Sequence, residues 1–76
     1  MAQRLPRVTI SQALRALTRD GWFEARSGGR HMILRHATKP GRVVLPRHPG
    51  QALPLGTLAS ILRDAGLTPD QFRSLL

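Results

Sequence analysis

The stretch Gly28-Gly29-Arg30-His31-Met32-Ile33-Leu34-Arg35-His36 decides the fold. Two adjacent glycines permit positive φ and a tight reversal of the chain, and the run that follows them is strand-like. Strand alternation puts His31, Ile33 and Arg35 on one face and Arg30, Met32, Leu34 and His36 on the other. With Met32 and Leu34 turned to a core, His31 and Arg35 point to solvent together. Before the glycines, Trp22 to Ser27 reads as a first strand that pairs with the second as a hairpin. After it, Thr38-Lys39-Pro40-Gly41 is a turn signal, and Arg42-Val43-Val44-Leu45-Pro46 reads as a third strand ended by proline. The centre of the chain is therefore a three-stranded antiparallel meander.

Helices flank it. Thr9 and Gln12 have capping-box spacing, so a helix begins at Ile10, with Ile10, Ala13, Leu14 and Leu17 in one apolar stripe and Gly21 as the residue that ends it. Ser11, Arg15, Thr18 and Arg19 face water. Trp22, directly after that helix end, reads as core closure rather than as a stacking platform. Beyond a loop from Arg47 to Leu53, the segment starting at Pro54 carries Leu55, Leu58, Ile61, Leu62 and Ala65 at helical spacing. Gly66 followed by Leu67 is a Schellman ending, and Thr68-Pro69-Asp70-Gln71 repeats the capping box before a short last helix that turns Phe72, Leu75 and Leu76 inward. The expected fold class is α+β and double-stranded-RNA-binding-like: helix, three-stranded antiparallel sheet, helix, short C-terminal helix. One domain is expected over residues 1–76, with residues 1–8 flexible. One face of the sheet is left open.

Charge points to a polyanionic partner. Twelve Lys plus Arg against four Asp plus Glu give a formal net charge of +8 in 76 residues. Eleven of the twelve basic residues are arginine. The planar guanidinium fits phosphate oxygens with two parallel hydrogen bonds, although a GC-rich genome also writes Arg for Lys. The four carboxylates are Asp20, Glu24, Asp64 and Asp70, so no acid lies between Ala25 and Arg63. That interval holds Arg26, Arg30, Arg35, Lys39, Arg42 and Arg47 with His31, His36 and His48. A solvated face usually mixes signs; this one does not. Absence of cysteine excludes disulfides and thiolate metal sites and fits a reducing cytoplasm. No apolar run is long enough to span a membrane, and the N-terminus lacks the apolar core of a signal peptide, so the expected location is cytoplasmic with no membrane partner.

The chemistry that this pattern suits is RNA cleavage. RNA carries its own nucleophile, the 2′-hydroxyl, so scission needs a base for that proton, an acid for the departing 5′-oxygen and positive charge at the phosphate. Histidine titrates in the useful range. His31 is the candidate base or acid, with Arg30 and Arg35 steadying the phosphate. The RNA-binding set is Gly29, Arg30, Arg35, Lys39, Arg42 and Arg47. One histidine supplies half of the scheme, and water, His36 or His48 completes it; a strand-end histidine and one preceding proline also commonly only pack or cap. Three histidines without close ligand spacing or a nearby carboxylate do not make a metal site, and neither a metal nor a small-molecule cofactor is expected.

Gly21-Trp22 after a short helix, Gly-x-His at the start of strand two, Val-Leu-Pro-x-His-Pro, and Leu-Pro-x-Gly-Thr-Leu-x-x-Ile-Leu-x-x-Ala-Gly-Leu-Thr-x-x-x-Phe together resemble the HicA family of toxins. The resemblance runs from Thr9 to Phe72 and is most specific from Leu53 to Leu58 and from Ala65 to Leu67. It implies a metal-independent endoribonuclease of a bacterial type II toxin–antitoxin module that cleaves mRNA and is silenced by a HicB-type antitoxin. The catalytic histidine of the family falls on His31. Two departures stand out: Arg30 replaces the small hydroxyl residue usual before that histidine, and Leu34 replaces a frequent aromatic. The added guanidinium either helps to hold phosphate or crowds the site. The alternative is a non-catalytic RNA-binding module with the same basic sheet. A DNA-binding role finds less in the sequence, since neither main helix gathers base-reading side chains on one face.

Overall fold

The computed structural model describes residues 4–26 and 29–76; Ser27, Gly28 and residues 1–3 lie outside the described residues. The elements in chain order are α1 (Ile10–Asp20), β1 (Trp22–Arg26), β2 (His31–His36), β3 (Val43–Pro46), α2 (Leu55–Ala65) and α3 (Pro69–Leu75). The sheet is antiparallel in the order β1-β2-β3. α1 packs on β1 and β3, α2 on β3, and α3 on α1, so all three helices belong to one layer. This is the expected α+β layout, with β2 shorter by Arg30 and β3 by Arg42.

Local chemistry explains each helix end. Thr9 and Gln12 close a full capping box on α1, and Thr68 and Gln71 close another on α3. At the end of α2 the N–H of Leu67 bonds the carbonyl of Leu62 at 2.9 Å, the long bond of a Schellman motif, with Gly66 left-handed. Gly21 ends α1 at φ 107, and a Cβ there would lie 2.6 Å from His36 Nε2. Only glycine satisfies both conditions.

The core lies between the helix layer and the inner face of the sheet, where Trp22, Met32, Leu34, Val43 and Leu45 meet Ile10, Ala13, Leu17, Leu58, Leu62 and Phe72. Three apolar placements differ from the sequence expectation. Leu55 and Leu76 are exposed rather than inward: Leu55 is the first residue of α2 and Leu76 caps the end of α3. Val8, expected within a flexible lead, is buried, and its carbonyl accepts from the N–H of Leu53 at 2.9 Å. Val8 precedes the N-cap and Ala13 is the fourth helical residue, the positions of a hydrophobic staple. Thr9 also bridges to Ala52, so the loop after β3 is tied to the start of α1.

Candidate nucleic-acid interface

The outer face of the sheet is built by register. Phe23 stands opposite Arg35, Ile33 stands between Arg26 and Val44, and His31 stands opposite Pro46. Arg26 reaches this face through a bulge. Glu24 pairs with Leu34 and Arg26 with Ile33, so Ala25 is the extra residue, and alternation reverses across it. Strict alternation from Trp22 would have left Arg26 on the helix side with Glu24. Phe23 is 52% exposed, and Val44, His31 and Arg35 are also exposed. The face thus presents a diagonal of Phe23, Ile33 and Val44 framed by Arg26, Arg35 and Arg42, with His31 at one end. Glu24 is the one carboxylate on the strands, and it lies on the opposite face. Phe23 had no functional role in the sequence expectation, and Arg26, although part of the acid-free interval, was not counted in the RNA-binding set. The exposed aromatic had no counterpart in a helix-facing pattern, and the bulge has no residue signature here.

The expected basic residues divide into two groups. Arg35 donates to the carbonyl of Gly41 at 3.1 Å, which holds its guanidinium beside the β2–β3 turn and next to Arg42; together with Ala25, Arg26 and Ile33 they line one shallow basin. Gly29 has φ 72 and, with Arg30, lies at the entry to β2, exposed. Lys39 and Arg47, by contrast, are engaged within the fold. Lys39 Nζ lies 2.6 Å from Asp20 Oδ2 and 3.0 Å from the carbonyl of Ala65, tying the end of α1 to the end of α2. Arg47 passes beneath β2 to Glu24, at 2.6 Å.

The three histidines differ as sharply. His36 is locked: Nε2 lies 2.6 Å from the carbonyl of Asp20, and Nδ1 accepts the N–H groups of Thr38 at 3.1 Å and Lys39 at 3.2 Å. A carbonyl can only accept, and two N–H groups can only donate, so these partners place the ring proton on Nε2. Its ring also meets Trp22 edge-on, with centroids 5.2 Å apart. His36 therefore knits α1 to β2 and the following turn. His31 and His48 are exposed, and their side chains make no hydrogen bond or ion pair among the described residues. Among the described residues no group of His, Asp and Glu could hold a metal ion, and no helix is long and apolar enough to cross a membrane.

Comparison with known proteins bears on what such a face is for. The family model described as the HicA toxin of bacterial toxin–antitoxin systems matches residues 10–67, from the first residue of α1 through the Schellman ending of α2. No curated protein matches the chain.

Proposed function

Because the chain belongs to the HicA toxin family of bacterial toxin–antitoxin modules, we propose that it is a metal-independent endoribonuclease acting on mRNA, with His31 as a proton-transfer group at the scissile phosphate. The observation that carries the reading is a free imidazole on an open sheet face whose charged strand residues, Arg26 and Arg35, are both positive. The order of helix, three antiparallel strands and helix, also found in double-stranded RNA-binding domains, supports RNA as the partner.

His31 and Arg35 lie four residues apart on one strand, roughly 13 Å at the usual rise, too far for both to hold one phosphate. Arg35 and Arg42 therefore hold a neighbouring phosphate and set the register of the RNA, while Arg30, next to His31 in the chain, is the arginine nearest in sequence to the proton-transfer group. Lys39 and Arg47 serve the scaffold. Phe23 offers an open ring face on which an unpaired base can stack. In the reaction the 2′-oxygen forms a bond to phosphorus, the bond from phosphorus to the 5′-oxygen breaks, and His31 moves one of the two protons involved. Products carry a 2′,3′-cyclic phosphate and a 5′-hydroxyl.

A toxin of such a module acts with an antitoxin. A HicB-type antitoxin would place acidic side chains over Arg35 and Arg42 and occupy the RNA surface. The test is cleavage of labelled RNA in EDTA by the wild type and by His31→Ala. Scission by the wild type, and binding without scission by the variant, are expected. Wild-type protein that binds RNA and never cleaves it, or a variant as active as wild type, would favour the non-catalytic binding module.

A further inference from the structure

Of the two remaining histidines, His48 is the one whose ring is unengaged, and it shares a basin with Arg30, the residue before His31. The last named pair of β2 and β3 is His31 opposite Pro46, yet the N–H of Arg47 still donates to the carbonyl of Arg30 at 2.9 Å. Pairing thus runs one residue past β3. Hydrogen-bonded and non-bonded pairs alternate in an antiparallel ladder, so a bonded Arg30–Arg47 pair makes His31–Pro46 a non-bonded one. Proline, which has no N–H to donate, is suited to that place on an edge strand. Arg47 meets Glu24 on the helix side, and the chain bends there, past the last residue of β3, so that His48 opens the following loop.

Two observations make His48 more than a passing loop residue. His48 lines a basin of about 460 Å³ together with Arg47 and with Gly29 and Arg30, the two residues that lead into His31. Its backbone is held: the N–H of Gln51 bonds the carbonyl of His48 at 3.0 Å, and Ser11 and Ile10 donate to Pro49 and Gln51 at 3.0 and 2.9 Å. The imidazole is therefore free while its attachment point is fixed to α1.

We propose that His48 is the second catalytic residue of the site, sharing the two proton transfers with His31 across the scissile phosphate. The inference rests on the ribonuclease reading above. One imidazole accepts the proton of the 2′-hydroxyl as its oxygen bonds phosphorus; the other, protonated, donates to the 5′-oxygen as that bond breaks. The two then exchange a proton through solvent, so nothing is consumed. Charged groups around His48 are Arg30 from the entry to β2, Arg47 before it, and Glu24 of β1, already engaged by Arg47; α1 meets the loop through the backbone N–H groups of Ile10 and Ser11.

The experiment uses the full chain and two RNA substrates, one ordinary and one with sulfur in place of the bridging 5′-oxygen, a leaving group that needs no proton. On the ordinary substrate both His31→Ala and His48→Ala are expected to lose roughly 10²–10⁴-fold in rate, with RNA affinity and melting temperature kept. His48→Gln, which keeps hydrogen-bonding capacity without titrating, is expected to behave as His48→Ala. On the sulfur substrate one of the two alanine variants recovers and the other does not, because only the acid becomes dispensable. Wild-type rate for His48→Ala on the ordinary substrate, or recovery of both variants or of neither, overturns the proposal. Failure of the wild type to cleave either RNA would instead remove the ribonuclease reading itself.

Discussion

Replacing Lys39 by methionine separates scaffold from interface, since this lysine lies in the acid-free stretch yet is spent inside the fold. Its ammonium joins Asp20 Oδ2 at 2.6 Å and the Ala65 carbonyl at 3.0 Å, with the side chains of Lys39 and Asp20 31% and 20% exposed. A fully exposed ion pair contributes about 0.2–1 kcal/mol, and a hydrogen bond to a charged group about 1.5–3. Partial burial places this pair between those limits, and the lost cation at the α2 C-terminus adds about 0.3–1 kcal/mol. Asp20 keeps the indole N–H of Trp22, 3.2 Å away, so its carboxylate is not left bare. The net expectation is a loss of about 1–3 kcal/mol. In a domain of this size each kcal/mol shifts the melting temperature by roughly 4–8 °C, so a fall of about 4–24 °C is expected. Thermal melts measured beside RNA titrations at several salt concentrations read both quantities at once. Wild-type melting together with a loss of RNA affinity as large as that of Arg35→Ala would refute the assignment and return Lys39 to the RNA surface.

Arg35→Ala and Arg42→Ala are expected to weaken RNA binding and lower the slope of log affinity against log salt by about 1 each, while Arg73→Ala, on α3 and paired with Asp70, leaves both unchanged; equal losses at all three would mean that no defined patch exists. Leu62→Ala, in the core at 2% exposure, is expected to cost about 2–5 kcal/mol by urea unfolding, a large part of the stability of so small a domain. Gly21→Ala meets both a left-handed backbone and the His36 ring, so it should cost at least the roughly 1–2 kcal/mol of the backbone term and shift the imidazole resonances of His36; an unshifted spectrum with wild-type stability would contradict the close approach.

The capping boxes at Thr9 and Thr68, the Schellman ending at Gly66 and the alternation of Met32 and Leu34 were all readable because each is a local rule acting within a few residues. The same is true of the excess of arginine. Side-chain partners were not readable, because they join residues far apart in sequence. Asp20 and Lys39 are 19 residues apart and Glu24 and Arg47 are 23 apart, so two of the five basic residues taken for RNA contacts turn out to brace the scaffold. The bulge at Ala25 moves Arg26 to the open face through a backbone irregularity that alternation alone does not reveal. Sequence by itself determined the elements, their order and the sign of the field, since propensity, capping and charge are properties of the chain. Only the tertiary structure decided which histidines are free. His36 is consumed because the end of α1 and the turn after β2 converge on its two ring nitrogens, whereas His31 on the outer face of β2 and His48 in the loop after β3 are exposed, with side chains that have no partner among the described residues.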